Sequence, residues 1–103
     1  MAHPLQQYDL SIPGREMIQA RVDIDPSSPP IRHFHPGEEI IVVLEGSLAY
    51  QIDGMPTRVY NAGEALTVPA GVIHAVRNVG SGNAVELATY VVEKGKPLLS
   101  VVQ

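Results

Sequence analysis

The sequence contains no cysteine and no tryptophan among its 103 residues. The absence of cysteine excludes disulfide bonds, cysteine-type zinc sites and thiol nucleophiles, and it leaves the cellular compartment open. Basic residues are also scarce: there are 7, they are scattered along the chain, and the net charge is -4. Because no cluster of Lys and Arg could neutralise a row of phosphates, nucleic acid is not an expected partner.

Long hydrophobic runs are missing as well. The longest unbroken apolar stretch, Ile40–Leu44, is far shorter than the roughly 20 residues that a membrane span needs, so no membrane partner is predicted. The first residues, Met1–Pro4, lack the charged and apolar regions of a signal peptide. The sequence therefore predicts a cytoplasmic protein, although an export signal that had been removed would leave the same sequence.

Turn-forming residues are abundant, with 9 glycines and 9 prolines dividing the chain into short segments. Between them apolar residues alternate or run briefly, and no Gly- and Pro-free segment carries the 3.6-residue repeat of a long helix. The predicted strands are Ile18–Ile24, Glu39–Glu45, Leu48–Asp53, Thr57–Tyr60, Ala65–Val68, Ile73–Asn78 and Ala84–Glu93. Short strands at this spacing predict an all-β sandwich or closed barrel, in a single domain over residues 1–103.

Three of the 4 histidines lie in two local patterns. On a strand, residues two apart point to the same face, so His33 and His35 present their imidazoles side by side. Glu39 opens the next strand after a turn at residues 36–37, close enough to add a carboxylate oxygen. In the second pattern, a tight turn at residues 69–71 leads into a strand that begins near His74. His3 lies near the start of the chain, where we expect disorder, and receives no role.

Three imidazoles and one carboxylate form a ligand set suited to Mn, Fe, Co, Ni, Cu or Zn. On a metal that prefers six ligands, four protein ligands leave about two positions for water, substrate or dioxygen. A single histidine on a strand is more often a surface or core residue than a ligand, and alternating histidines also occur on outward faces. The prediction of a metal site therefore depends on the joint pattern.

Two motifs in the chain resemble those of the cupin family. Residues 33–46 carry the spacing His-x-His-x3-Glu-x6-Gly, which is similar to the first cupin motif, and residues 63–78 carry Gly-x5-Pro-x-Gly-x2-His-x3-Asn, which is similar to the second. One position departs from the family pattern, because Ser27 stands where the first motif opens with a glycine; this affects the shape of a loop.

The resemblance implies a double-stranded β-helix, or jelly-roll barrel, with the metal-site motifs at residues 27–46 and 63–78. It also implies one divalent transition metal ion per chain, held by His33, His35, Glu39 and His74. If Glu39 faces inward, strand parity places Ile41 and Val43 inward too, and His74 brings Val76 with it. The predicted pocket wall is therefore mostly aliphatic.

Few polar side chains are placed to reach a ligand in that pocket. The candidate catalytic residues are Tyr50, Tyr90 and Glu86, and the alternative for each is an exposed position or a contact at the end of the barrel. The first hypothesis for function is a metal-dependent enzyme, because the resemblance implies oxygenases, isomerases, epimerases, decarboxylases and lyases that use the metal as a Lewis acid. The expected reaction is dioxygenase-like, on a small apolar carbonyl or phenolic compound.

Two other functions stay open. One is a non-catalytic ligand-binding or sensing module, and the other is a barrel whose metal only ties strands together. Whichever of the three functions applies, we expect a homodimer, because the apolar strand Ala84–Val92 and the apolar tail Leu98–Val102 suggest a buried sheet edge.

Overall fold

The computed structural model describes all residues 1–103, which form ten β-strands and no helix. The strands are β1 (Ala2–Asp9), β2 (Arg15–Ile24), β3 (His33–Phe34), β4 (Gly37–Glu45), β5 (Ser47–Ile52), β6 (Arg58–Asn61), β7 (Ala65–Val68), β8 (His74–Asn78), β9 (Ala84–Glu93) and β10 (Ser100–Val101). They build two five-stranded antiparallel sheets, in the orders β1-β2-β9-β4-β7 and β10-β3-β8-β5-β6. With no helices, the chain has none that could cross a membrane.

The hydrophobic core lies between the two sheets. In β4, buried and exposed residues alternate, so that Ile41 and Val43 are fully buried while Ile40 is 43% exposed. From the other sheet, Leu48 and Tyr50 of β5 pack against them. This burial of one face in each sheet is the main favourable contribution to folding. The all-β jelly-roll barrel that the sequence predicts is confirmed.

The start of the chain differs from the prediction. Residues 2–9 are not disordered: they form β1, which pairs along β2, and the His3 imidazole lies 2.8 Å from the carboxylate of Asp23. All residues of β1 are exposed. Because neither face of the strand is buried, nothing requires apolar and polar residues to alternate along it. Strand formation there depends on the backbone of β2, which the local sequence does not reveal.

The position of β9 also corrects an expectation. This strand, Ala84–Glu93, lies in the middle of its sheet between β2 and β4, so it is not a sheet edge. Its nearly continuous apolar sequence is typical of a central strand rather than of an unpaired edge strand. In the tail, only Ser100 and Val101 form a strand, which pairs with β3.

Gly37, at the start of β4, allows β4 and β9 to approach closely. A Cβ atom at Gly37 would lie 1.9 Å from the carbonyl oxygen of Val91, closer than any real contact. Gly46 ends the same strand with a positive φ of 80°. A larger residue at Gly37 would therefore push β4 away from β9, and a residue other than glycine at Gly46 would be strained.

Candidate metal centre

The candidate ligands come from both sheets. His33 on β3 and His74 on β8 are direct cross-strand partners, which places their side chains next to each other. His35 lies in the connection that leads from β3 to β4, and Glu39 lies on β4 in the opposite sheet. The turn of the second motif is bound to this connection, because the Gly71 N–H donates to the carbonyl oxygen of His35 at 3.1 Å.

The three imidazoles converge at one point. A ligand atom from each of His33, His35 and His74 lies within 4.8 Å of the others, as a shared metal ion requires. The Oε1 atom of Glu39 lies 3.1 Å from Nε2 of His74 and 3.3 Å from Nε2 of His35. Except for the half-buried His33, all of these side chains are buried. The predicted histidine cluster is present, and the role of Glu39 as fourth ligand stays a prediction.

Each imidazole is oriented by a backbone carbonyl that contacts its Nδ1 atom. The distances are 2.7 Å from His33 to Ile31, 2.7 Å from His35 to Leu98 and 3.0 Å from His74 to Val72. Because a carbonyl oxygen only accepts hydrogen bonds, each Nδ1 carries a proton and donates it. In a neutral ring the lone pair then lies on Nε2, which is the arrangement that metal-binding histidines adopt.

The surroundings of the buried Nε2 atom of His35 indicate whether the site fits a metal ion. This atom has no hydrogen-bond partner, and the carboxylate oxygen of Glu39, which lies 3.3 Å away, is itself an acceptor. Two buried acceptors facing each other are unfavourable unless a cation or a proton lies between them. Imidazole nitrogens and a carboxylate oxygen suit a divalent transition metal, so the donor set fits such an ion.

Electrostatics favour the metal-binding forms of Glu39 and His33. Burial raises the pKa of Glu39, but the neighbouring imidazoles of His35 and His74 outweigh it and lower the pKa to about 2. Glu39 is therefore a carboxylate at neutral pH. Burial also lowers the pKa of His33, which favours the neutral imidazole that binds metals.

The cluster lies in a cavity of about 370 Å³, in which 10 of the 18 lining residues are hydrophobic and none is Lys or Arg. Val76 lines this cavity, in agreement with strand parity. Ile41 and Val43 also face inward, but they belong to the fully buried hydrophobic core and are not among the lining residues. They lie further along β4 than Glu39, at a level where side chains from the other sheet fill the barrel.

Sequence reasoning missed part of the cavity wall. Val22 and Ile24 on β2 line it, and the apolar alternation of that strand could have indicated this. Leu99 and Val101 of the tail also line it. No local signal assigns a tail to a cavity, because the contact depends on the pairing of β10 with β3.

The three candidate catalytic residues lie in the cavity wall. The buried Tyr50 hydroxyl donates a short hydrogen bond to Oε1 of the buried Glu86. The Tyr90 ring packs edge-on against His35, with 4.7 Å between ring centroids. Burial, together with the charge of Glu39, raises the pKa of Glu86 to about 7. The structure thus brings these side chains to the histidine cluster, and their catalytic role stays a prediction.

Two antiparallel sheets that enclose three convergent histidines define a class of barrel suited to binding a metal ion. Comparison with known families identifies the chain within that class: the cupin domain family matches residues 20–97, and the chain belongs to this family.

A germin-like protein from Morus alba is 37% identical over 85 residues, which cover 75% of this chain and 41% of that protein. The chain thus spans about two fifths of the length of the curated relatives that it matches. Among solved structures, Bacillus subtilis oxalate decarboxylase, a protein with Mn(II) centres, superposes with a TM-score of 0.72 at 24% identity, over 84% of this chain and 24% of that one. DMSP lyase from Ruegeria pomeroyi superposes with a TM-score of 0.71 at 23% identity, over 84% and 43%.

Proposed function

We propose that this chain binds one divalent transition metal ion through His33, His35, Glu39 and His74 and catalyses a reaction of a small apolar carbonyl or phenolic compound. The observation that carries the proposal is the buried, unpartnered Nε2 of His35, which faces the other candidate ligands at a cavity. When bound, the metal ion would act as a Lewis acid that polarises an oxygen atom of the substrate.

The cavity supports an apolar substrate. Its volume of about 370 Å³ lies at the small end of the range of roughly 300–1,000 Å³ that is usual for small-molecule sites. The wall is mainly aliphatic, so it excludes water from the substrate and strengthens electrostatic interactions inside the cavity. Because no Lys or Arg lines the cavity, sugar phosphates and highly charged acids would find no cationic side chain there to balance the charges that the metal ion leaves uncompensated.

Glu86 is the proposed acid/base residue. It is buried, lines the cavity and accepts a hydrogen bond from Tyr50, which holds its carboxyl group in one orientation. Burial raises the pKa of Tyr50 well above 10, so its hydroxyl stays protonated and continues to donate. In the metal-free protein, burial and the charge of Glu39 raise the pKa of Glu86 to about 7, so its carboxyl group can take up or release a proton near neutral pH. A buried proton-exchanging group in the cavity supports an enzyme more than a module that only binds.

A dioxygenase-like reaction is the first reaction to test. Both oxygen atoms of dioxygen then enter the organic product, so no external reductant is needed. Oxygen uptake would be measured with iron-loaded protein and a β-diketone, a catechol and a flavonol, and we expect uptake with at least one of them. No uptake with any of these substrates would reject the dioxygenase and leave lyase or isomerase chemistry at the same site.

The metal site itself is tested by elemental analysis of the purified protein. After dialysis against the same metal-free buffer, we expect about one metal ion per chain in the wild type and in His3→Ala, and a much lower metal content in His74→Ala, which has lost one ligand. His3 is a suitable control because it is the remaining histidine and lies outside the cluster. Equal metal content in all three proteins would reject His74 as a ligand.

We also propose that two chains form a homodimer that covers β1. Leu5 and Tyr8 in this strand are 54% and 69% exposed. Ordering each residue of the strand costs about 1–2 kcal/mol of backbone entropy, and burial of these side chains against a second chain would offset that cost. Pro4 and the bulge that follows it interrupt the free edge of β1, so the faces offer the better contact surface. Light scattering should show a dimer that Tyr8→Lys weakens and that Met55→Lys, a control at another exposed apolar residue, does not. A monomer at micromolar concentration would reject the dimer.

A further inference from the structure

The C-terminal segment 98–102 contacts both histidines of the first motif. The carbonyl oxygen of Leu98 accepts the hydrogen bond from Nδ1 of His35 at 2.7 Å, across 63 residues of sequence. In the β10–β3 ladder, Val101 is the partner of His33. The Val102 N–H donates to the carbonyl oxygen of Arg32 at 2.9 Å and extends this pairing.

The contact at Leu98 differs from those at the other two imidazoles. His33 and His74 bond to carbonyl groups two residues earlier in the chain, so their orientation is a local property. His35 depends on a carbonyl group from a distant segment. If that segment moved away, the ring would lose the bond that keeps the proton on Nδ1 and the lone pair on Nε2.

Apart from the bond at Leu98, the segment is held mainly by its short backbone pairing with β3. The strand β10 consists of two residues, and the large side chains on either side of Ser100 remain half exposed, with Leu99 at 50% and Val101 at 52%. Segments with few buried contacts open locally at low free-energy cost. A change in the strength of the His35 contact would therefore alter the docking equilibrium of the whole segment.

We propose that residues 98–102 form a clamp whose docking is coupled to metal binding at His35 and His33. The clamp is a positioning element: the carbonyl group of Leu98 orients His35, and a metal ion that holds His35 in that orientation favours the docked segment. Since Leu99 and Val101 line the cavity, a docked clamp also completes one side of its wall. The inference relies on the metal site proposed above.

Coupling between two sites is reciprocal, which gives the clamp a quantitative test. Loss of a second partner of a metal-binding histidine typically lowers metal affinity about 10- to 100-fold. The same factor should then appear in both directions. Metal should lower the equilibrium constant for opening of the segment about 10- to 100-fold, and removal of the segment should weaken metal binding to the same extent.

Hydrogen exchange of the full chain, with and without Co²⁺, tests the first direction. We expect the amide groups of residues 100–102 to exchange at least about tenfold more slowly with Co²⁺ bound, and those of the hairpin β5–β6 to change by less than about twofold. The visible spectrum of Co²⁺ reports metal binding independently. A chain that binds Co²⁺ without protection of residues 100–102 overturns the clamp alone, whereas a chain that binds no Co²⁺ overturns the metal site as well.

A chain that ends at Pro97 tests the second direction. Its affinity for Co²⁺ should fall about 10- to 100-fold, whereas a chain that lacks only Gln103 should keep the wild-type affinity. The double variant Leu99→Ala, Val101→Ala retains the Leu98 carbonyl and should lose less than about threefold. Unchanged affinity in the chain that ends at Pro97 would overturn the clamp. If that chain does not fold, the exchange experiment on the full chain decides.

Discussion

Replacing Glu86 with glutamine should stabilise the metal-free protein at pH 8 and have little effect at pH 4. Glutamine keeps the size of the side chain and an oxygen that accepts the hydrogen bond from the Tyr50 hydroxyl. The substitution therefore removes a buried negative charge without opening a cavity. Burying an unpaired charge is costly, so its removal is favourable where that charge is present.

The magnitude follows from the pKa of Glu86. In the unfolded chain this carboxyl group loses its proton near pH 4.5, whereas in the folded protein burial and the charge of Glu39 raise the pKa to about 7. Between these two pKa values the folded state binds more protons than the unfolded chain. The stabilisation that comes from protonated Glu86 is therefore fully present below pH 4.5 and is lost as the pH rises through about 7. Each unit of difference between the unfolded and folded pKa values corresponds to about 1.4 kcal/mol, so the free energy of unfolding falls by about 3 kcal/mol.

Urea unfolding of both proteins, followed by circular dichroism after metal removal with a chelator, measures this difference. The free energy of unfolding of Glu86→Gln minus that of the wild type should rise by about 3 kcal/mol from pH 4 to pH 8. Glu38→Gln is the matched control, because Glu38 is exposed on the outer face of β4 and its substitution should show no such rise. An identical difference at both pH values would refute the reasoning, since it would mean that Glu86 ionises as an ordinary exposed carboxyl group.

Four further substitutions test the packing around the site, each by thermal and urea unfolding. Gly37→Ala should cost about 3 kcal/mol, because its Cβ would meet the Val91 carbonyl oxygen, and a variant as stable as the wild type would contradict this close approach. Ile41→Ala should cost about 3–4 kcal/mol and Ile40→Ala less than about 1, and equal losses would mean that β4 does not bury the face described. Tyr50→Phe should cost about 1–3 kcal/mol because its carboxyl partner loses its donor, and no loss would show that water replaces the hydroxyl.

Local spacing was enough to predict part of the histidine cluster. The one-residue gap between His33 and His35 places both imidazoles on one face of an extended chain, whatever the surrounding fold. The strands were predicted for a similar reason, because burial of one sheet face imposes alternation on residues such as those of β4. Where that alternation is missing, as in the fully exposed β1, the prediction was wrong.

Contacts between distant segments were beyond sequence reasoning. Tyr50 and Glu86 were singled out as polar residues near the cavity, but their mutual hydrogen bond depends on the packing of β5 against β9 from the opposite sheet. The raised pKa of Glu86 has the same origin, because desolvation depends on everything that surrounds the carboxyl group.

The sequence by itself determined the all-β class of the protein and the identity of the residues that can meet at a metal ion, since strand periodicity and ligand spacing are local properties of the chain. The tertiary structure alone decided which atoms orient those residues. A backbone carbonyl such as that of Leu98 is the same in every amino acid, so no pattern of side chains reveals that it fixes His35. Only the pairing of β10 with β3 brings that group to the imidazole.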